Sequence, residues 1–274
     1  DQTAAHQRGM SLLAVDDVER AIPEFQKALV EEDRAWVRRE ILAQLVRCAL
    51  RLGDYANAGT RFLAIAQSDP KTRFFRLIPL AWGPVSLEGG LRSDVEGWLN
   101  SESEVAQLLG ASFLLEDPRR HGPALAVLKQ LASSADRRVQ VLAQTQLLRQ
   151  RLSAGDVSRV ELENWQNRID LIPEDLRGGA YFLLGKAQLR LREYELGAAA
   201  LLRLPLVYND DVQLAARAEL MAADALSRIG QTEAAAGLYH EITSRFAGTS
   251  FAIDARERLL EREPKSSDAN DAKR

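Results

Sequence analysis

The chain has 274 residues, 46% of them hydrophobic and 27% charged, and carries a formal net charge of −3 at pH 7. This composition provides enough apolar side chains for a sizeable core and excludes a chain that is disordered throughout. The balanced charge argues against a nucleic-acid-binding protein, which needs a concentrated basic surface. A single cysteine, Cys48, excludes an internal disulfide and a cysteine-rich zinc site, and its apolar neighbours predict a buried thiol. No apolar run reaches the roughly 18 residues of a transmembrane helix.

Residues 1–70 are predicted to form two helical hairpins. Apolar residues recur with the 3.6-residue period of a helix on both sides of Asp16-Asp17, which marks the first turn. The same pattern continues on both sides of Gly53-Asp54, and Asp69-Pro70 ends the second hairpin. No strand pattern is present in this region.

Residues 71–100 interrupt the helical period. Two prolines, Pro79 and Pro84, and the pair Gly89-Gly90 argue against a long regular helix. The segment is nevertheless too apolar for a solvated linker. We therefore predict an irregular connector, with at most one short helix, that packs against the hairpins; an exposed binding patch is the alternative.

Residues 101–172 return to a helical pattern, with shorter helices that resemble HEAT-type hairpins. Serine and glutamate stand three positions apart at Ser101–Glu104 and at Ser158–Glu161, a spacing that predicts capping boxes at two helix starts. Residues 173–262 show the clearest pattern, with two more hairpins and a final helix that caps the array. The polar tail, residues 263–274, is predicted to be disordered.

One template recurs in four of the predicted hairpins: a small residue, an apolar or aromatic residue four positions later, and another apolar residue three positions after that. The first two copies are 37 residues apart and the last two 38. A period of this length indicates stacked helical repeats, each of which buries its apolar face only against a neighbour. The copies are Ala21-Phe25-Ala28, Ala58-Phe62-Ile65, Gly197-Leu201-Leu204 and Ala235-Tyr239-Ile242.

The repeats resemble tetratricopeptide repeats. Gly9 precedes Ala21 by twelve residues, as that family's mid-helix glycine precedes its alanine, and Leu184-Gly185 and Tyr194 occupy corresponding slots in the third copy. The ending after Tyr239 is similar to repeats of bacterial envelope proteins. The resemblance implies an all-α solenoid of antiparallel hairpins, wound as a right-handed superhelix, whose first helices line a concave groove that binds partners.

Catalytic and cofactor sites are not predicted. The three histidines, His6, His121 and His240, are far apart in sequence. His240-Glu241 begins like a zinc-protease helix, but Ser244 stands where the second ligand histidine is required. Neither a phosphate-binding glycine loop nor a nucleophile elbow is present. We therefore expect no catalytic residue, no metal and no cofactor.

A basic groove is the one candidate binding site. In the tetratricopeptide register, five cations and one aromatic residue face the concave side, where they would bind an acidic or C-terminal carboxylate segment of a partner. The alternative is that these cations only keep the surface soluble and pair with Glu40 and Asp224. By contrast, Trp36, Trp98 and Trp165 have helical spacing that predicts core packing. The predicted groove residues are Arg47, Arg51, Phe182, Lys186, Arg190 and Arg228.

The function predicted from these observations is a non-enzymatic scaffold or adaptor that binds a protein or peptide partner, and not nucleic acid. An accessory helical domain of a larger enzyme or transport assembly is the alternative, and a catalytic helical domain such as a lyase is a third hypothesis. The chain starts at Asp1 without a methionine, from which we expect an exported or envelope location, with the cytoplasm left open. The sequence leaves the oligomeric state open.

Overall fold

A computed structural model of the chain describes residues 3–155 and 157–261. The described part is all-α, as predicted, and contains no β-strand. Two short 3₁₀ helices, Arg73–Leu77 and Glu174–Leu176, stand in the connections. The predicted disordered tail, residues 263–274, lies outside the described residues. The α-helices in chain order are α1 (Ala4–Ala14), α2 (Val18–Glu31), α3 (Ala35–Arg51), α4 (Tyr55–Ser68), α5 (Leu91–Leu99), α6 (Glu104–Leu114), α7 (His121–Leu131), α8 (Arg137–Ala154), α9 (Arg159–Ile169), α10 (Gly178–Arg190), α11 (Tyr194–Val207), α12 (Val212–Arg228), α13 (Thr232–Arg245) and α14 (Ser250–Leu260).

Side chains from the turns set many of the helix starts. Asp17, Asp54 and Asp211 each accept a hydrogen bond from a backbone N–H in the first turn of the following helix, so they act as N-caps. The capping box predicted at Ser158–Glu161 is confirmed at the start of α9. The one predicted at Ser101–Glu104 is wrong.

The N-cap of α6 is Ser103 and not Ser101. Its Oγ accepts a hydrogen bond from the Ala106 N–H at 3.5 Å. Glu104 is already the first helical residue, so it is too far along the helix to reach back to Ser101. Its Oε2 instead accepts a 2.6 Å hydrogen bond from Ser134 Oγ and links α6 to the turn before α8.

The repeated triplets lie in the seams between consecutive helices. Every residue of the four triplets is buried. At Gly9, an added Cβ would lie 2.8 Å from the ring of Phe25, and at Gly185 it would lie 2.5 Å from Leu201 Cγ. In these two hairpins a glycine of the first helix thus faces the large residue of the triplet, and its lack of a side chain lets the two helix axes approach.

The three predicted core tryptophans do not all pack in the core. Trp98 and Trp165 contact the main hydrophobic cluster as predicted. Trp36 is 60% exposed, so its predicted core position is wrong. It stands in the first turn of α3, where the helix has only begun to enter the array, and the Arg34 guanidinium lies 5.7 Å from its ring centroid.

The connector packs against the helices, and its irregular part is shorter than predicted because one 3₁₀ helix and α5 take up both ends of residues 71–100. At its centre, the Ala81 N–H donates to Ser112 Oγ at 3.1 Å, and Gln146 Nε2 donates to the Ala81 carbonyl at 3.0 Å. Arg149 Nη1 donates to the same carbonyl, and its Nη2 donates to the Ser112 carbonyl at 2.8 Å. Side chains of α6 and α8 therefore hold an extended segment through its backbone.

Apolar side chains also bury the connector. Phe74, Phe75, Leu77 and Leu80 belong to the main core cluster. Trp82 lies directly over Gly179 at the start of α10, where the lack of a side chain makes room for its indole ring. The alternative of an exposed apolar patch is thus excluded for this segment. The connector instead links the middle helices to α10.

The first and last thirds of the chain meet where α3 contacts α12. Asp210, just before α12, pairs with Arg47 at 3.4 Å and with Arg76 at 3.2 Å. Gln213 Nε2 donates to the Arg51 carbonyl at 2.9 Å. This contact brings together residues about 160 positions apart in sequence, and the polar atoms that form it come from both thirds.

Replacement of Arg149 by Met is expected to destabilise the protein strongly. The guanidinium is 1% exposed and pairs with Glu116 at 3.5 Å in addition to its two carbonyl partners. Its loss leaves buried acceptors without donors, which costs about 3–5 kcal/mol when one partner of a buried pair is removed. Urea unfolding followed by circular dichroism measures the loss. Arg119→Met, at an exposed position near the end of α6, is the control, and equal midpoints for the two variants would contradict the role of Arg149.

Stability is expected to fall as the pH rises through the range in which Glu219 ionises. This side chain of α12 is 1% exposed, and neither carboxylate oxygen has a hydrogen-bond partner within the described residues. Burial, and then the nearby Glu241 carboxylate, raises its pKa from 4.5 to about 7, although Arg245 opposes the shift. The folded state therefore binds the proton of Glu219 more tightly than the unfolded state does. The resulting contribution to the free energy of unfolding is complete below pH 4.5 and is lost as the pH rises through about 7.

Glu219→Gln tests this pH dependence. Near pH 4.5 the variant should match the unsubstituted protein, whereas above pH 7 it should be more stable by about 1–3 kcal/mol, because the amide carries no charge to desolvate. Thermal unfolding at the two pH values measures the difference, with the exposed Glu257→Gln as control. A stability difference that does not change with pH would show that Glu219 does not titrate in this range.

Candidate functional site

The predicted groove residues do not form one continuous wall. Arg47 and Arg51 lie at the junction of α3 with α12, where Arg47 pairs with Asp210, and Arg51 Nε lies 3.0 Å from an Asp16 carboxylate oxygen. Both guanidinium groups are thus already neutralised by carboxylates of this chain. They do not line the pocket that the other predicted cations share.

Phe182 is also unsuited to direct contact with a partner, because its side chain is fully buried in α10. Two cations cover its ring: Lys186 Nζ lies 5.5 Å from the ring centroid, and Arg217 Cζ lies 5.6 Å from it. Cations at this distance are attracted by the electrons of an aromatic face. Phe182 therefore supports the charged surface from below and does not belong to that surface.

Lys186, Arg190 and Arg228 do come together. They line an open pocket of about 320 Å³ between α10 and α12, and the first residue of α11, Tyr194, closes one side. The Arg228 guanidinium lies 5.9 Å from the Tyr194 ring centroid. The remaining lining residues are mostly apolar and comprise Leu189, Met221, Asp224 and Ala225. We call this pocket, defined by these eight residues, the cationic pocket.

The one acid of the cationic pocket is already engaged. Asp224 Oδ1 accepts a 2.6 Å hydrogen bond from the Tyr239 hydroxyl and lies 3.3 Å from Arg258 Nε. Glu40, the other acid expected to neutralise the groove, pairs with Arg73. If the predicted groove cations only kept the surface soluble, Glu40 and Asp224 were expected to pair with them. In the structure both carboxylates pair with arginines outside the predicted groove.

Lys186 lies among other cations. It has no ion-pair partner within the described part of the chain, and its nearest charges are mostly positive. Burial, and next the Arg217 guanidinium, lowers its pKa below the usual lysine value, while Glu116 opposes the shift. An anionic ligand would reverse this effect, because an opposite charge favours the protonated amine.

Arg217 is a residue that the sequence analysis missed. It lies on α12 three helical turns before Arg228, and residues eleven apart share a helix face. Its guanidinium packs on the Phe182 ring and lies near Lys186. The spacing to Arg228 was visible in the sequence, but without the position of Phe182 nothing distinguished Arg217 from other helix-surface arginines.

The arrangement suits binding of an anionic group over an apolar floor. Arginine and lysine form charge-assisted hydrogen bonds with carboxylates, and such bonds strengthen away from bulk water. No group of three or more histidine, cysteine or acidic side chains in residues 3–155 and 157–261 is placed to hold a metal ion. Cys48 is buried, and burial raises its thiol pKa to about 11, as expected for an unreactive core thiol.

None of the three histidines approaches the cationic pocket closely enough to line it. His6 is buried beside Phe25, His121 Nδ1 contacts the Leu115 carbonyl at 2.6 Å, and His240 is exposed on α13. In the described ranges, no helix combines the length and apolarity needed to cross a membrane. The chain matches no protein-family model, and a search of curated proteins likewise finds no similar sequence.

Replacement of Lys186 by Met should raise the stability of the protein at neutral pH. The methionine keeps much of the apolar stem over Phe182 and removes an uncompensated charge. Because the folded-state pKa of Lys186 is lowered, its buried charge destabilises the folded state at neutral pH. This destabilisation disappears as the pH rises toward 10.5. Thermal unfolding measures the gain against Lys129→Met, an exposed control on α7. A lower midpoint for Lys186→Met than for the control would contradict this prediction.

Proposed function

We propose that this chain is a non-enzymatic, tetratricopeptide-like solenoid that binds an acidic segment of a partner protein in the cationic pocket. The observation that carries the proposal is the convergence of Lys186, Arg190 and Arg228 around an apolar floor whose only acid, Asp224, is engaged by Arg258. Uncompensated cations cost stability, and a binding site is a common reason for such a cost.

The solenoid part of the proposal is supported by packing between consecutive helices and by burial of all four triplets. Each hairpin contacts mainly its neighbours in sequence, as stacked repeats do. The resemblance to tetratricopeptide repeats is consistent with this packing. It also suggests proteins of a bacterial envelope as the first partners to test.

The choice of a peptide ligand rests on the shape and the lining of the pocket. An open site with an apolar floor and a few convergent charges matches an extended segment better than a nucleic-acid backbone, which requires a longer basic track. Helices α6 and α8 already hold one extended segment of this chain, because Ser112, Gln146 and Arg149 bind the backbone of Ala81.

Binding of labelled acidic peptides, measured by fluorescence anisotropy, tests the proposal. A peptide array that pairs each acidic sequence with its Asn/Gln counterpart first selects a probe. The double variant Arg190→Glu/Arg228→Glu should weaken binding of that probe at least about tenfold, since each lost charge-assisted hydrogen bond is worth about 1.5–3 kcal/mol. Higher salt should weaken binding to the unsubstituted protein in the same direction.

Two controls define the outcome of this experiment. Arg256→Glu changes the charge equally at an exposed position of α14 and should leave binding unchanged. Arg47→Glu tests the predicted residue that the structure places in an ion pair with Asp210, and it should affect stability more than peptide affinity. The proposal is wrong if neutral peptides bind as tightly as acidic ones or if the double variant retains full affinity.

A further inference from the structure

A small apolar pocket adjoins the cationic pocket on the far side of Arg190. It has a volume of about 120 Å³ and lies between the end of α8, the start of α9 and the last turn of α10. Its walls are aliphatic except for Arg190. The lining residues are Leu152, Gly155, Val157, Leu162, Ala187, Arg190 and Leu191. We call it the aliphatic pocket.

Arg190 forms the partition between the two pockets, because it lines both. Its Nη1 donates to the carbonyl of Leu152 near the C-terminus of α8, so the guanidinium is held in place by the backbone of another helix. Cations are favoured near helix C-termini, where unpaired carbonyls point outward. The partition is therefore fixed before any ligand arrives.

The shared wall of the two pockets allows one extended ligand to enter both. Arg190 lines each of them, and a chain that crosses this side chain would place alternate residues, about 6.5–7 Å apart on the same face, one in each pocket. The size of the aliphatic pocket matches one aliphatic side chain, since a cavity of about 150 Å³ in another protein holds benzene. The end of such a ligand that carries a carboxylate would lie at Lys186 and Arg228.

We infer that the partner segment carries a carboxylate side chain for the cationic pocket and, two residues away, a leucine-sized aliphatic side chain for the aliphatic pocket. This inference rests on the proposed function and adds a specificity determinant to it. Burial of the aliphatic side chain removes apolar surface from water, whereas a serine in its place leaves Leu191 partly hydrated. The two pockets together would distinguish one acidic sequence from another.

A set of four matched peptides tests the inference by anisotropy. They carry Asp-x-Leu, Asp-x-Ser, Asn-x-Leu and Asn-x-Ser at the same positions of the selected probe, each in both chain directions. Asp-x-Leu should bind about tenfold more tightly than Asp-x-Ser, the effect expected for burial of a few methylene groups. Equal affinity of these two peptides would overturn the inference and leave the proposed function intact, whereas equal affinity of Asp-x-Leu and Asn-x-Leu would overturn the proposed function.

Variants of the protein locate the effect in the aliphatic pocket. Ala187→Leu fills the pocket from α10, and Leu191→Ser removes part of its rim at a position that is already 40% exposed and tolerates a polar side chain. Both should abolish the preference for Leu over Ser and retain the preference for Asp over Asn. Leu196→Ser, at a 57% exposed leucine of α11 outside both pockets, is the control and should change neither preference.

A free fatty acid also combines a carboxylate with an aliphatic chain, so octanoate is included as a competitor. Peptide binding that octanoate does not displace supports a peptide ligand. Displacement of the peptide by octanoate, together with saturable octanoate binding that Ala187→Leu abolishes, would overturn the inference in favour of a lipid site. Persistence of the Leu preference in both Ala187→Leu and Leu191→Ser would also overturn it.

Discussion

The arrangement of the helices depends on one buried cation. Arg149 of α8 donates to the carbonyls of Ala81 and Ser112 and pairs with Glu116. A guanidinium has five N–H donors and cannot be neutralised in a protein interior, so its burial requires acceptors in fixed positions. These acceptors come from the connector, from α6 and from the turn after it, and through them one side chain fixes where the irregular segment passes α6 and α8.

The path of the connector explains where a binding site can exist. Ala81 and Trp82 lie against α6, α8 and α10, so the connector covers part of the surface of these three helices. Beyond the connector, α10 and α12 keep cationic side chains around an open pocket. Among the described residues, the cations at that pocket have no carboxylate partner, because Asp224 and Glu40 pair with other arginines. Both the path of the connector and the distribution of charge support the cationic pocket as the proposed site.

The helices and their seams were predictable from sequence because they follow local rules. Ala58, Phe62 and Ile65 recur at a spacing that any stacked hairpin must satisfy, and they are buried as expected. The candidate site was predicted only in part, since Arg47 and Lys186 both stand eleven residues before the small residue of their triplets but meet different neighbours. Asp210 reaches Arg47 only because α3 contacts α12 across about 160 residues, and no local pattern encodes that contact. Trp36 was misassigned for a related reason, because helical spacing does not reveal which turns of a helix contact its neighbours.

The shared carboxylate of Asp210 has a consequence for how this protein can change in length. In an open repeat array, insertion or loss of one hairpin shifts the end of the array and leaves the remaining seams intact. Here Asp210 must reach both Arg47 and Arg76, so an extra hairpin between α4 and α12 would carry it away from both guanidinium groups. An extra hairpin between these points would therefore break the contact between α3 and α12, whereas one added at either end would leave that contact in place.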